Sequence, residues 1–251
     1  MEKVSFILTT YNSLDNFKET IDSILQQDYT EIEIIVKDGG SSDGTVELIQ
    51  AYKEKLKERL IWVSEEDAGI YDAMNQGYRL SSGDIIVFFN DILQGSHAVS
   101  DMVKAIREQG ESCMGAHADL VYADADGKVV RTWKMGKGKF TRGWMPGHPT
   151  LYVKRSVYEK YGVYDTSYRC AADYEFMVRA FWGKEERLAY VPETIVRMIY
   201  GGTSTGGLKN YLVSLKEGHN ALKKNHIRGA MWIDIQRTLR VLGQFGSRES
   251  I

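Results

Sequence analysis

Acidic residues and glycines recur early in the chain, each time directly after a short apolar run. Thr9-Thr10-Tyr11-Asn12 follows the first run, and Asp38-Gly39-Gly40-Ser41-Ser42-Asp43-Gly44-Thr45 follows the second. Asp67-Ala68-Gly69-Ile70-Tyr71-Asp72-Ala73-Met74-Asn75 follows the third, and Asn90-Asp91 the fourth. An acid at the end of a strand can hold a base or a ribose. A carboxylate can also hold a hard cation together with phosphate oxygens. Gly39 lets a ligand approach the main chain, and Gly69, ahead of a helix, can place N–H donors near phosphate. Asp72 and Asn75 are three apart and share a helix face, although Asp72 would repel a phosphate without a cation or sugar hydroxyl between them. Further on, Asp173 and Glu175 open an amphipathic helix, where an acid can accept a proton or simply satisfy the helix dipole. His148, in Gly147-His148-Pro149-Thr150, can meet a metal, a phosphate or an acceptor, or hydrogen-bond within its loop.

These groups converge only if the runs before them are neighbouring strands. Val4–Leu8, Ile32–Val36, Leu60–Val63 and Ile85–Phe89 are nearly unbroken apolar segments, as parallel strands covered on both faces should be. Helical patterns separate them. After Ser13, read as a cap, Phe17, Ile21, Ile24 and Leu25 share a face. A second helix is expected from near Ser42, with Asp43 in its first turn as a structural residue, burying Val46, Ile49 and Leu56. A third is expected over Ile70–Leu80. The rhythm predicts right-handed βαβ units and a ligand site at the carboxyl ends of the strands.

Beyond Asp91 the pattern predicts a helix at Val99–Ile106 and a hairpin of Leu120–Ala123 with Val129–Trp133. Strands at Thr150–Val153 and from Tyr190, and helices at Arg155–Tyr161 and Asp173–Trp182, come next. The chain turns helical and basic from Leu208. Lys134, Lys137, Lys139 and Arg142 sit in one glycine-rich loop, and residues 201–207 form another. Both read equally as lids or as solvated connectors.

Composition bounds the function. The chain has 251 residues, 43% hydrophobic and 26% charged, which suits one large domain over 1–205 with a helical extension over 206–251. A net charge of -2 gives no overall pull toward nucleic acid. Cys113 and Cys170 show no metal spacing and read as reduced thiols. No apolar run of signal-peptide or membrane-span length occurs, so a cytoplasmic protein is expected. The basic C-terminal stretch, with Tyr211, Leu212, Leu215, Met231, Trp232 and Ile235 interleaved, suits a peripheral contact with anionic membrane, packing on the domain, or a dimer helix. Oligomeric state is left open.

Taken in order, Ser5–Asn12, Asp38–Thr45, Asp67–Gly77, Gly83–Asp91, Gly147–Arg155 and Ala171–Arg179 resemble the family-2 glycosyltransferases, in particular the bacterial branch that builds surface polysaccharides. The resemblance runs from about Lys3 to Thr205. It implies the α/β nucleotide-diphospho-sugar transferase fold called GT-A, and inverting transfer of a sugar from a nucleoside diphosphate to a hydroxyl. A UDP-sugar is expected over a GDP-sugar. The acceptor is expected to be a glycan, in many relatives polyprenyl-linked on the inner membrane face. Residue by residue, the resemblance implies nucleotide-sugar contacts from Thr9, Tyr11, Asn12, Asp38, Gly39, Gly69, Tyr71, Asp72, Asn75 and Asn90. It puts a Mn²⁺ or Mg²⁺ ion on Asp91, the catalytic base on Asp173 in preference to Glu175, and acceptor or phosphate on His148. At the metal motif the chain departs from the family, which carries a pair of acids where this sequence reads Asn90-Asp91-Ile92-Leu93. Two other classes share part of the pattern. A nucleotidyltransferase should carry basic residues after the first strand, and Thr9–Asn12 has none. A nucleotide-sugar-binding scaffold derived from such a transferase would suit the shortened acidic motif.

Overall fold

The four apolar runs form β1 (Val4–Thr10), β2 (Ile32–Asp38), β3 (Leu60–Ser64) and β4 (Ile85–Phe88), paired in parallel in the order β3-β2-β1-β4. The computed structural model describes residues 1–124, 126–199 and 208–243. The loop 201–207 and the end of the chain after 243 lie outside the described residues. Alternate side chains of the strands enter two cores. Phe6, Leu8, Ile34 and Val36 face α1 (Leu14–Leu25), α2 (Thr45–Leu56) and α4 (Ala98–Glu108). Ile7, Ile35 and Ile86 face α3 (Ile70–Leu80), α5 (Arg155–Tyr161) and α6 (Ala172–Phe181). Covering both faces is what allowed the strands to be unbroken apolar runs. Gly77 brings α3 down onto β1, where a Cβ would run into Ile7.

The sheet continues from β4 through β8 (Tyr152–Lys154) and β6 (Gly115–Ala123) to β9 (Leu188–Ile199) and the two-residue β5 (Ile92–Leu93); β7 (Val129–Trp133) pairs with β6. Two strands are longer than the sequence suggests. β6 begins at Gly115 rather than Leu120 because His117 and Asp119 are buried among small residues, which breaks the apolar run without breaking the strand. β9 runs through Pro192, which lacks an N–H; the pairing skips from Ala118↔Val191 to Asp119↔Thr194, so the proline falls in a bulge.

Other expectations shift by a few residues. α2 starts at Thr45, so Asp43 precedes it. Asp43 Oδ1 accepts from Thr45 N and Oγ1 at 3.1 and 2.6 Å, and its Oδ2 accepts from Leu14 N at 3.1 Å. This one carboxylate caps α1 and α2 together. Ser13 makes no cap bond to α1 and instead meets Thr10 through its hydroxyl at 2.8 Å. The glycine-rich loop after β7 is pinned. Its Phe140 and Trp144 are buried, Trp144 Nε1 donates to Met135 O at 2.9 Å, and Met135 N donates to Asp119 Oδ1 at 2.7 Å. That part of the chain is a packed connector, not a lid.

α7 (Leu208–Lys224) and α8 (Ala230–Gly243) add Ala221, Leu222, Ala230 and Ile233 to the core beside α6. No described helix is long and apolar enough to cross a membrane. Both cysteines are unpaired.

At the amino ends of the strands, Glu33 is buried and accepts from Lys3 Nζ, Ser5 Oγ and Ser82 N, each at 2.6 Å, and from Gly83 N at 2.9 Å. Burial alone would raise its pKa, but Lys3, Ser5 and Ser82 outweigh it and bring the group from 4.5 to about 2. A depressed carboxylate stabilises the fold above its unfolded pKa and loses that contribution as pH falls through the folded one. Glu33→Gln is therefore expected to cost on the order of 2 kcal/mol at pH 7, with the deficit shrinking as pH approaches about 2. Urea titrations of both proteins at pH 7 and pH 3 check it; an equal deficit at both would mean the charge is not what matters.

Candidate active site

The polar clusters gather at the carboxyl ends of β1 to β4, and most of their hydrogen bonds run from loop to loop. Thr9 N donates to Asn90 Oδ1 at 2.9 Å and Asn90 Nδ2 returns a bond to Thr9 Oγ1 at 2.8 Å, locking β1 to the end of β4. Asn12, at φ 45°, accepts from Ser42 N and donates its own N–H to Ser41 Oγ, both at 2.8 Å. Asn tolerates this left-handed backbone better than most residues. The loops after β1 and β2 thus form one rigid rim.

Asp38 lies beneath that rim. It is fully buried and accepts from Gly40 N, Ser41 N, Ser41 Oγ and Ser64 Oγ at 2.5–3.0 Å. Burial opposes ionisation, yet these donors hold its pKa below the usual carboxylate range. Its expected contact with a nucleotide is not what the geometry offers, because the carboxylate is closed inside and organises the Gly39–Ser41 backbone instead. Beside it Lys37, also fully buried, donates to Asp38 O at 2.8 Å and Glu65 O at 2.5 Å, with Asp67 Oδ2 at 3.3 Å. A lysine inside an apolar strand was the signal for this tie, and it fixes the loop that carries Asp67.

Above these supports Tyr11, Gly39 and Asp67 come together. The Tyr11 ring is 65% exposed and rests against Gly39. A Cβ on Gly39 would stand 3.2 Å from Asp67 Oδ2 and 3.3 Å from the Tyr11 ring, so only glycine leaves the space clear. Asp67 also accepts from Gly69 N at 2.9 Å, so that N–H closes the loop rather than pointing outward. Asp72 accepts from Ala68 N at 3.1 Å and Gln76 Nε2 at 2.9 Å and likewise braces the start of α3.

Asp91 stands apart. It has no compensating donor or cation among the described residues, and burial raises its pKa to about 7. Such a carboxylate lacks the positive partner that a divalent cation supplies. No group of three His, Cys, Asp or Glu side chains able to hold a metal occurs among the described residues. Asp91 therefore fits a hard cation shared with substrate phosphates, not an all-protein cage.

A second cluster surrounds Asp173. Tyr71 Oη donates to Asp173 Oδ1 at 3.1 Å, joining residues 102 apart in sequence. Tyr71 thus belongs with Asp173 and not with the nucleotide loop, because the start of α3 turns its side chain inward. Burial and the neighbouring Asp173 raise the Tyr71 pKa, so the hydroxyl stays protonated and donates. Asn75 is also turned inward: its amide donates to Tyr164 O at 2.8 Å and accepts from Tyr164 N at 3.0 Å. It is buried and therefore positions Tyr164 rather than facing a nucleotide. Tyr164 Oη in turn shares a 2.8 Å hydrogen bond with His148 Nε2, whose ring stacks on Phe88. Burial lowers the His148 pKa, with Asp173 opposing, so the imidazole is neutral at pH 7.

Asp173 keeps part of its surface open in the first turn of α6, whereas Glu175 is fully buried. Glu175 pairs with Arg179 at 2.9 Å and Lys224 at 3.1 Å. Sequence reasoning missed Glu217 of α7. Its carboxylate accepts from Arg169 N, Cys170 N and Ala171 N at 2.9, 2.7 and 3.0 Å, gripping the loop that leads into α6. An acid among the lysines of α7 was the available signal. Glu217→Ala is expected to lower kcat about tenfold through misplacement of Asp173 while leaving donor KM within about twofold. Steady-state kinetics check this; a change in donor KM alone would place Glu217 on the donor instead.

A family model described as glycosyl transferase family 2 matches residues 5–168. A PGL/p-HBAD biosynthesis glycosyltransferase of Mycobacterium bovis is 27% identical over 211 residues, covering 83% of this chain and 80% of that protein. Among solved structures, Staphylococcus aureus TarS 1–349 in complex with UDP-GlcNAc superposes with a TM-score of 0.71 at 17% identity, covering 96% of this chain and 73% of that one. The mannosyltransferase PcManGT of Pyrobaculum calidifontis, in complex with GDP-Man and Mn²⁺, gives 0.67 at 16% identity over 99% of this chain and 76% of that one. These likenesses establish the GT-A fold.

Proposed function

Because the chain belongs to glycosyl transferase family 2 and is a glycosyltransferase, we propose that it moves a sugar from a nucleoside-diphosphate sugar to a hydroxyl of a surface glycan by a single inverting displacement. The observation that carries this reading is Asp173: a partly open carboxylate, oriented by the Tyr71 hydroxyl from the start of α3. As general base it accepts the proton of the acceptor hydroxyl while that oxygen bonds to the anomeric carbon and the diphosphate leaves. The hydroxyl grows acidic as the bond forms, so an Asp suffices. His148, neutral and fixed by Tyr164, lies on the loop nearest the acceptor or phosphate. Tyr11, Gly39 and Asp67 form the cleft for the base and ribose, with Thr9, Asn12 and Asn90 fixing its rim, and with Gly69 and Asp72 fixing its loop. Asp91, together with the substrate phosphates, would hold a divalent cation, whose contribution there would be Lewis-acid stabilisation of the leaving diphosphate. A UDP-sugar is favoured over a GDP-sugar, and both nucleotides occur in the structural neighbours.

The acceptor is a glycan, lipid-linked on the cytoplasmic face of the membrane. α8 supports this location, since Met231, Trp232, Ile235 and Leu239 are exposed together beside Arg228 and Arg240. Sedimentation with anionic vesicles is expected to capture the protein and to lose it with Trp232→Ser.

Calorimetric titration with UDP and GDP, each with Mn²⁺ and with EDTA, tests the reading. Cation-dependent binding of one nucleotide is expected. The shortened acidic motif favours one rival, a binding scaffold, which would bind nucleotide sugar yet release no nucleoside diphosphate with any acceptor. Absence of binding to either nucleotide would contradict both.

A further inference from the structure

A cavity of about 410 Å³ opens between the loop after β7 and helices α7 and α8. That volume lies within the range of roughly 300–1,000 Å³ of small-molecule sites. Its lining includes Trp133, Met135, Trp144 and Leu215, with Lys134, Arg237 and Arg240 as cations. None of the residues assigned above to nucleotide, cation or base lines it. Two of its walls nevertheless run directly into the Asp173 site. Met135 packs against Gly147, the residue before His148, and the Arg237 guanidinium lies 3.6 Å from the centroid of Tyr174, the residue after Asp173.

The cations of the cavity differ. Arg240 Nε donates to Arg142 O at 3.0 Å. Arg237 forms an ion pair with Asp234, Nη1 to Oδ1 at 3.5 Å, yet the buried Nη1 makes no hydrogen bond. A closer anionic acceptor would complete that N–H. An apolar cavity with one such cation is complementary to a molecule with a hydrocarbon or aryl body and an anionic head. The exposed apolar residues Met231, Trp232, Ile235 and Leu239 lie on the same helix α8.

We propose that this cavity binds the apolar portion of an anionic amphiphile, with the anionic head at Arg237, and that this amphiphile is the anchor of the acceptor. The second half rests on the transferase reading; the first does not. Anchoring there would hold the acceptor's sugar on the side of α6 that carries Asp173, and would select lipid-linked acceptors over free ones.

Decyl phosphate, kept below its micelle concentration, is the probe, followed by tryptophan fluorescence of the full chain. Saturable binding is expected, at least tenfold tighter than for decanol. Leu215→Trp fills the cavity and is expected to abolish saturation while keeping the wild-type melting temperature. Arg237→Gln is expected to equalise decyl phosphate and decanol. Undiminished binding by Leu215→Trp, equal affinity for both probes in the wild type, or no saturable signal would each overturn the proposal. So would loss of saturation in Trp232→Ser, which would put the chain on the exposed face of α8. Nucleotide binding without amphiphile binding defeats only the cavity, and amphiphile binding without nucleotide binding defeats only the transferase reading.

Discussion

Asp173→Asn is expected to lower kcat by roughly 10²–10⁴-fold, the usual contribution of a positioned general base. The amide keeps the shape of the carboxylate, and its Oδ1 can still accept from Tyr71, so the start of α6 should not move. Donor binding and thermal stability are therefore expected to stay near wild type, and the loss should fall on kcat. Tyr71→Phe removes one hydrogen bond to the base, worth about 1 kcal/mol, and should cost about fivefold. Glu175 supplies the contrast. Its fully buried carboxylate accepts from both Arg179 and Lys224, so Glu175→Gln loses two charge-assisted contacts and should destabilise the fold by about 2 kcal/mol. Kinetics and thermal melts on the three variants separate the roles. Wild-type kcat in Asp173→Asn would remove Asp173 from the chemistry.

Asp91→Asn is expected to abolish the response of nucleotide binding to Mn²⁺ and to reduce kcat by at least about 10²-fold, since Lewis-acid stabilisation of a leaving group is worth several kcal/mol. The size of the effect follows from the missing second acid. Where no other cluster of ligating side chains occurs among the described residues, one carboxylate is the whole protein contribution. Stability should not suffer, because Asp91 has no partner to lose among the described residues and burial already disfavours its charge. Titration of the variant with the preferred nucleotide, in Mn²⁺ and in EDTA, is the check. Metal-dependent binding that survives the substitution would put the cation on other residues.

The four parallel strands were legible because strands buried on both faces carry unbroken apolar runs, and the helices between them because each buries one stripe. The longer β6 and β9 were under-read for the opposite reason: His117 and Asp119 are polar yet buried, and Pro192 hides in a bulge. In the site, residue types and positions were legible and partners were not. Asp38, Tyr71 and Asn75 read as ligand contacts from their loops, but their bonds are to Ser64, Asp173 and Tyr164, from 26 to 102 residues away. Lys37 ties down the loop that carries Asp67 only once β2 and the loop after β3 lie side by side. Glu217 grips the entry to α6 across 46 to 48 residues, a contact no local pattern reports. Spacing along a chain identifies side chains at strand ends. Which of them face a ligand and which face each other is decided by packing.

Single displacement at the anomeric carbon, with Asp173 as base, inverts the configuration of the transferred sugar. The most direct measurement is proton NMR of the sugar released when the protein turns over its nucleotide sugar with water as acceptor, recorded before mutarotation. The anomer inverted relative to the donor is expected to appear first, and Asp173→Asn is expected to release it far more slowly. First appearance of the retained anomer would rule out a single displacement.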